Sequence, residues 1–210
     1  MNKFLIARSY LTSVEDCFEL KTDFNPTRLR EYCYANRYRF MTYHKDSEYD
    51  QRREALPLTN LDGTHTDASF ISIRGTGLTE MSFTEKTEHY HKSGVGELLD
   101  RFGEDLGRTH IINTRRGGFF KPHRDGPIMS QPEKETFRLV YCIDHCNTYE
   151  MHFTLENEKV LPLRTGGLYY INTMKTHTQV SFHEDCFFVI ANIQISDKSL
   201  HILDELSARP

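Results

Sequence analysis

The stretch GGFFKPHRDGP, residues 117–127, sets His123 and Asp125 two positions apart. In an extended chain residues i and i+2 point to the same side, so an imidazole and a carboxylate placed this way can converge on one ion. Pro122 before the pair and Gly126 and Pro127 after it put at least one end of this piece at a strand terminus or a tight turn. Two ligands are not a site, and a third has to come from an adjacent strand. The candidates are His145, His152, His177 and His183. His177 stands between GGLYYINTMKT and TQVSF, near a strand start, whereas His183 abuts Glu184 and Asp185 in what reads as a solvated turn. Two imidazoles and one carboxylate without a thiolate suit non-haem Fe(II), because three ligands on one face leave positions open for a bidentate cosubstrate and O2.

Other constellations in the chain have plainer readings. His89 and His91 in EHYHK repeat the i, i+2 spacing, but Glu88 and Lys92 flank them and point to a solvated turn. The five cysteines, Cys17, Cys33, Cys142, Cys146 and Cys186, form no C-x-x-C pair and are expected as free, mostly buried thiols. Phe119, Phe120, Tyr169 and Tyr170 are core candidates, with room for one ring beside the metal to pack on substrate.

Seven short segments rich in β-branched and aromatic residues follow Gly107: RTHIINT, FRLVYCID, EMHFTLE, KVLPL, GGLYYINT, HTQVSF and CFFVIANIQI. Turn-formers separate them, and strands at that spacing predict a sandwich, jelly roll or barrel. Ahead of them, NPTRLREYCYANRY and KSGVGELLDRFGEDLG, residues 92–107, carry apolar positions at helical spacing and are expected to pack outside the strands. The polar run from His44 to Ala68 lacks periodicity and is expected to be loop-rich, a candidate lid that would select substrate.

The chain has 210 residues, 38% of them hydrophobic, enough for one substantial core. One domain is expected over 1–210, with helical and loop support in 1–107, a β core in 108–196 and a C-terminal tail in 197–210. Thirty acidic against 26 basic residues, net charge -4, with no long basic run, give no electrostatic case for nucleic acid or an anionic membrane. The four-residue apolar core near the N-terminus is too short for a signal peptide, so a soluble, cytoplasmic protein is expected.

PHRD, FRLVYCID and LRTGGLYYINTMKTHTQVSF, taken in that order, resemble the Fe(II)/2-oxoglutarate oxygenases. The likeness is greatest to the aspartyl/asparaginyl β-hydroxylase-like branch that also contains bacterial proline hydroxylases, and it spans roughly residues 93–195. It implies a mainly β fold, a double-stranded β-helix (jelly roll, cupin-like) with flanking N-terminal helices, in which His123, Asp125 and His177 hold Fe(II) and leave a face for 2-oxoglutarate and O2. It also implies hydroxylation of an amino acid, free or within a peptide or protein. Alternatives are a non-catalytic sensor of iron or 2-oxoglutarate, and a cupin-like metalloenzyme that does not use 2-oxoglutarate.

The cosubstrate's distal carboxylate needs a cation in a mostly apolar pocket, ideally a forked arginine. Many relatives carry it about ten residues after the distal histidine, but position 187 here is Phe187, and no Lys or Arg occurs between His177 and Lys198. Arg138 shares a strand face with Val140 and Cys142, so its charge points into an apolar row and needs an anion there. Arg138 is therefore the expected carboxylate partner, with Asn113, Tyr141 and Thr154 as hydrogen-bonding helpers and Arg115, Arg116 or Lys175 as alternatives. The competing reading pairs Arg138 with Glu135 or Asp144.

Overall fold

The computed structural model describes residues 16–43, 51–70, 72–73, 75–125, 135–156 and 159–207. In chain order the strands are β1 (Cys17–Leu20), β2 (Met41–Thr42), β3 (Arg53–Pro57), β4 (Thr59–Asn60), β5 (Glu85–Lys86), β6 (Leu106–Thr114) and β7 (Phe119–His123). They continue with β8 (Thr136–Asp144), β9 (Met151–Leu155), β10 (Lys159–Val160), β11 (Leu168–Ile171), β12 (His177–Ser181) and β13 (Cys186–Gln194). Among the described residues four α-helices accompany them: α1 (Thr27–Ala35), α2 (Glu88–Ser93), α3 (Gly96–Leu99) and α4 (Asp197–Ser207).

Seven strands form one antiparallel sheet in the order β1-β11-β8-β13-β6-β3-β2, four form a second in the order β10-β9-β12-β7, and β4 pairs with β5. Alternation along the long strands decides what each face of the larger sheet meets. Phe137, Leu139, Tyr141 and Ile143 of β8 join Phe187, Val189 and Ala191 of β13 in a cluster with Leu29 and Cys33 of α1, Leu98 of α3 and Leu203 of α4. The intervening residues Val140, Cys142 and Phe188 turn the other way and pack on Met151, Phe153 and Leu155 of the smaller sheet. The chain is thus a double-stranded β-helix, with one apolar layer between the sheets and a second beneath the helices.

All seven expected strands are present, although KVLPL contributes only Lys159–Val160 before Pro162. Asn25 accepts the Thr27 N–H at the start of α1, as a turn residue ahead of a helix does. The 92–107 helix is interrupted: Gly94 lies at φ 81 and Gly103 at φ 57, left-handed values that stop an α-helix and leave α2, α3 and a 3-10 segment over Asp100–Asp105. EHYHK is the body of α2 and no turn, with His89 fully buried.

The 44–68 segment also departs from expectation. Residues 44–50 lie outside the described residues, but 51–60 are nearly all buried and include β3 and β4. With β1 and β2, β3 makes the N-terminal half part of the larger sheet, and the expected C-terminal tail is mostly helix α4. No helix among the described residues is long and apolar enough to cross a membrane.

Candidate metal centre

His123 ends β7 and His177 begins β12, and the two are direct partners across that antiparallel pair. Their rings lie 4.1 Å apart between centroids. Asp125 follows two residues on, beyond the strand, where its N–H donates to the Thr173 carbonyl at 2.9 Å and ties it to the chain entering β12. One ligand atom from each of His123, Asp125 and His177 falls within 4.8 Å of the others. His145 and His183 instead stack on each other at 3.5 Å, and His152 packs edge-on against Phe182.

Backbone contacts set the histidine tautomers. Nδ1 of His123 lies 2.9 Å from the Lys121 carbonyl and Nδ1 of His177 lies 3.0 Å from the Lys175 carbonyl. A carbonyl only accepts, so each Nδ1 carries the proton and each Nε2 keeps its lone pair for an ion. Phe120 meets the His123 ring edge-on at 4.1 Å, and Phe153 stacks parallel to His177 at 5.8 Å, so aromatic walls hold both imidazoles.

Burial, and then the neighbouring His177, push the His123 pKa down to about 4, and burial lowers that of His177 too, so both rings are neutral at pH 7. For Asp125 burial acts upward, but Arg138, the Thr173 hydroxyl and the two imidazoles outweigh it and hold the carboxyl below its ordinary range. Its Oδ2 is buried and accepts no hydrogen bond. Arg138 comes within 3.1 Å of that oxygen, an ion pair by distance but without the alignment of a hydrogen bond. Asp125 Oδ1 lies 3.7 Å from His123 Nε2. A buried carboxylate with one oxygen lacking a hydrogen-bond donor and the other beside an unprotonated Nε2 fits a divalent cation, and this ligand set suits Fe(II).

The triad opens on a cavity of about 230 Å3, whose lining includes Tyr43, Arg53, Glu80, Arg108, Phe120, Arg138, Phe153 and Gln179. A larger open groove, of about 790 Å3, beside Glu19, Arg101 and Arg164 contains none of the metal-ligand candidates.

Arg138 reaches the cavity on the face that alternation assigns it, yet its charge is already met. It lies 3.1 Å from Asp125 and 3.7 Å from Glu80, and its Nε donates to Asn192 Oδ1 at 3.0 Å. Neither Glu135 nor Asp144 appears among those partners.

The expected helpers do not line the cavity. Asn113 follows Ile111 by two residues on β6, on the helix-side face, and its amide donates to Asp185 at 3.1 Å. Tyr141 belongs to the layer beneath the helices, edge-on to Phe24. Thr154 alternates with the inward Phe153 and Leu155, so it faces out. Of the alternative cations, Arg115 pairs with Glu54, Arg116 with Glu184 and Lys175 with Asp16.

Arg53 is the residue that sequence reasoning passed over. It stands on β3 in register with Thr114 of β6, on the same inward face as Ala55, and is 4% exposed. Its guanidinium lies 4.3 Å from the Phe120 ring centroid and 4.9 Å from that of Tyr43. Burial pulls its pKa down to about 10. The alternation of REALP was the available signal, but five residues without a β-branched or aromatic side chain do not announce a strand.

No family model matches the chain, and no curated protein does. Among solved structures, a prolyl hydroxylase from Trichoplax adhaerens in complex with a hypoxia inducible factor peptide fragment is 8% identical, with TM-score 0.51, over 94% of this chain and 93% of that one. A Pseudomonas putida prolyl-4-hydroxylase is 9% identical over 92% of this chain and 98% of its own, with TM-score 0.49. A 2OG-Fe(II) oxygenase family oxidoreductase from Burkholderia pseudomallei is 12% identical over 92% and 90%, with TM-score 0.45. At such identities the likeness is one of fold.

Proposed function

We propose that this chain is an Fe(II)- and 2-oxoglutarate-dependent oxygenase that hydroxylates an amino acid, free or within a peptide or protein. The observation that carries the reading is the His123, Asp125 and His177 cluster, with both Nδ1 atoms anchored on carbonyls and Asp125 Oδ1 3.7 Å from His123 Nε2, at the mouth of a double-stranded β-helix. Iron with 2-oxoglutarate and O2 supplies C–H hydroxylation, the cosubstrate leaving as succinate and CO2.

The residues of this chain do the rest. His123, His177 and Asp125 would hold the ion, while the Lys121 and Lys175 carbonyls orient the imidazoles. Arg138 keeps Asp125 ionised and is itself steadied by Glu80 and Asn192. Phe120 and Phe153 limit water around the ligands. The amino-acid substrate class rests on the sequence resemblance to hydroxylases, and the peptide carried by the Trichoplax enzyme is compatible with it.

The test is an anaerobic titration of the apo-protein with Fe(II) and then 2-oxoglutarate, followed through the visible charge-transfer band of the bidentate complex. The band should appear, and Asp125→Ala should abolish it. Iron binding without a band would sink the oxygenase reading in favour of a cupin-like metalloprotein.

A further inference from the structure

We propose that Arg53, with Gln179 beside it, is the anion clamp of the cavity and takes the distal carboxylate of the five-carbon 2-oxo diacid. This rests on the oxygenase reading and assigns the cation for which β13 offers no candidate.

Charge sets Arg53 apart from its neighbours. Three arginines line the cavity. Arg138 is held by Asp125 and Glu80, while Arg108 lies 3.8 Å from Glu80 and donates from Nε to the Ser69 carbonyl. Arg53 makes no ion pair with a carboxylate among the described residues, and its Nε is buried without an acceptor. A desolvated guanidinium that lies against aromatic faces, repelled by Arg138 and attracted by Asp125 only from beyond ion-pair distance, is costly, and an entering anion relieves that cost.

A second donor is in the same condition. Thr114, the cross-strand partner of Arg53, donates its hydroxyl to Gln179 Oε1 at 3.1 Å. That contact fixes the amide, and Gln179 Nε2 is left buried with no acceptor. Gln179 stands on β12 two residues after His177 and lines the same cavity. Donors from β3 and β12, each lacking an acceptor, thus line one cavity with the metal-ligand candidates, and its two carboxylates, Glu80 and Asp125, face Arg108 and Arg138 instead. A carboxylate supplies acceptor oxygens and negative charge together. The interior positions of β13 in this region are Phe188 and Ile190, which supply neither.

The decisive experiment is calorimetric titration of the full chain loaded with Mn(II), which does not turn over, using 2-oxoglutarate and 2-oxobutyrate, an analogue without the distal carboxylate. Wild type should bind 2-oxoglutarate far more tightly than 2-oxobutyrate. Arg53→Met should weaken 2-oxoglutarate by about 100-fold while leaving 2-oxobutyrate and Mn(II) unchanged. Its metal-free melting temperature should equal or exceed that of wild type, because an uncompensated buried charge has gone. Gln179→Leu should lose about 10-fold by the same assay, and Arg53→Lys should retain intermediate affinity.

Wild-type affinity for 2-oxoglutarate in Arg53→Met overturns the clamp and leaves the oxygenase reading standing. Equal loss of both 2-oxo acids, or a lowered melting temperature, makes Arg53 structural and overturns it as well. If Mn(II)-loaded wild type binds neither 2-oxo acid, the oxygenase reading itself fails, and the clamp with it. Should Arg53→Met not fold, Gln179→Leu and Arg53→Lys carry the same comparison, and undiminished 2-oxoglutarate affinity in both overturns the proposal.

Discussion

Two parts of this molecule use an imidazole and a second polar side chain at i, i+2, and they end in opposite conditions. His123 and Asp125 lie in extended chain, so both side chains turn to one side and meet His177 across the strand pair. His89 and His91 lie on α2, where two residues are about 200° of rotation. His89 is therefore fully buried while His91 is exposed. The ring of His89 is used up internally: Nδ1 lies 2.7 Å from the Tyr32 hydroxyl and Nε2 lies 2.8 Å from Nδ1 of His65. At the other site each Nδ1 is anchored and each Nε2 is left for an ion. What separates a candidate metal site from a buried brace is thus the number of imidazole nitrogens already satisfied, not the spacing of the residues.

Substitutions can break that contrast, and the largest effect belongs to the ligands. His177→Ala should reduce Fe(II) or Mn(II) affinity by more than about 100-fold, above the losses usual for residues that merely support ligands. His89→Ala should leave metal affinity unchanged in the same titration. Arg138→Lys, which replaces a fork with a point charge beside Asp125, should weaken metal binding by about 10-fold.

The next effect is on stability. His89→Ala leaves the Tyr32 hydroxyl and His65 short of a partner and should cost about 1–3 kcal/mol in urea unfolding of the metal-free protein.

A pH scan sharpens the same point. Burial, then Arg39 and His65, depress the His89 pKa from 6.5 to about 4. The unfolded chain therefore binds the proton more readily, so this contribution to stability is complete above pH 6.5 and is lost as pH falls towards 4. His89→Gln should flatten the fall in melting temperature between pH 7 and pH 4.5. His91→Ala, on the exposed side of α2, should shift stability by no more than about 0.5 kcal/mol.

The sequence by itself determined the strands after Gly107, because each carries enough β-branched and aromatic residues to be read locally. It also picked out His123, Asp125 and His177 as ligand candidates, whose types and order are visible without coordinates, and the face that Arg138 shares with Val140 and Cys142, which follows from the alternation of β8. Tertiary structure decided what those side chains meet. Arg138 lines the cavity with Val140, yet whether its charge is free depends on Glu80, far away in sequence, and on Asp125 beyond the end of β7. Asn113, Tyr141 and Thr154 stand on strands that line the cavity but face away from it, since period two says which residues share a face and not which face looks inward. Arg53 became a cavity residue only because β3 pairs with β6, and a charge-rich pentapeptide has no local reason to be a strand without that partner. Partner strands and buried counter-charges are non-local, and they are where the reading of the chain had to wait for the fold.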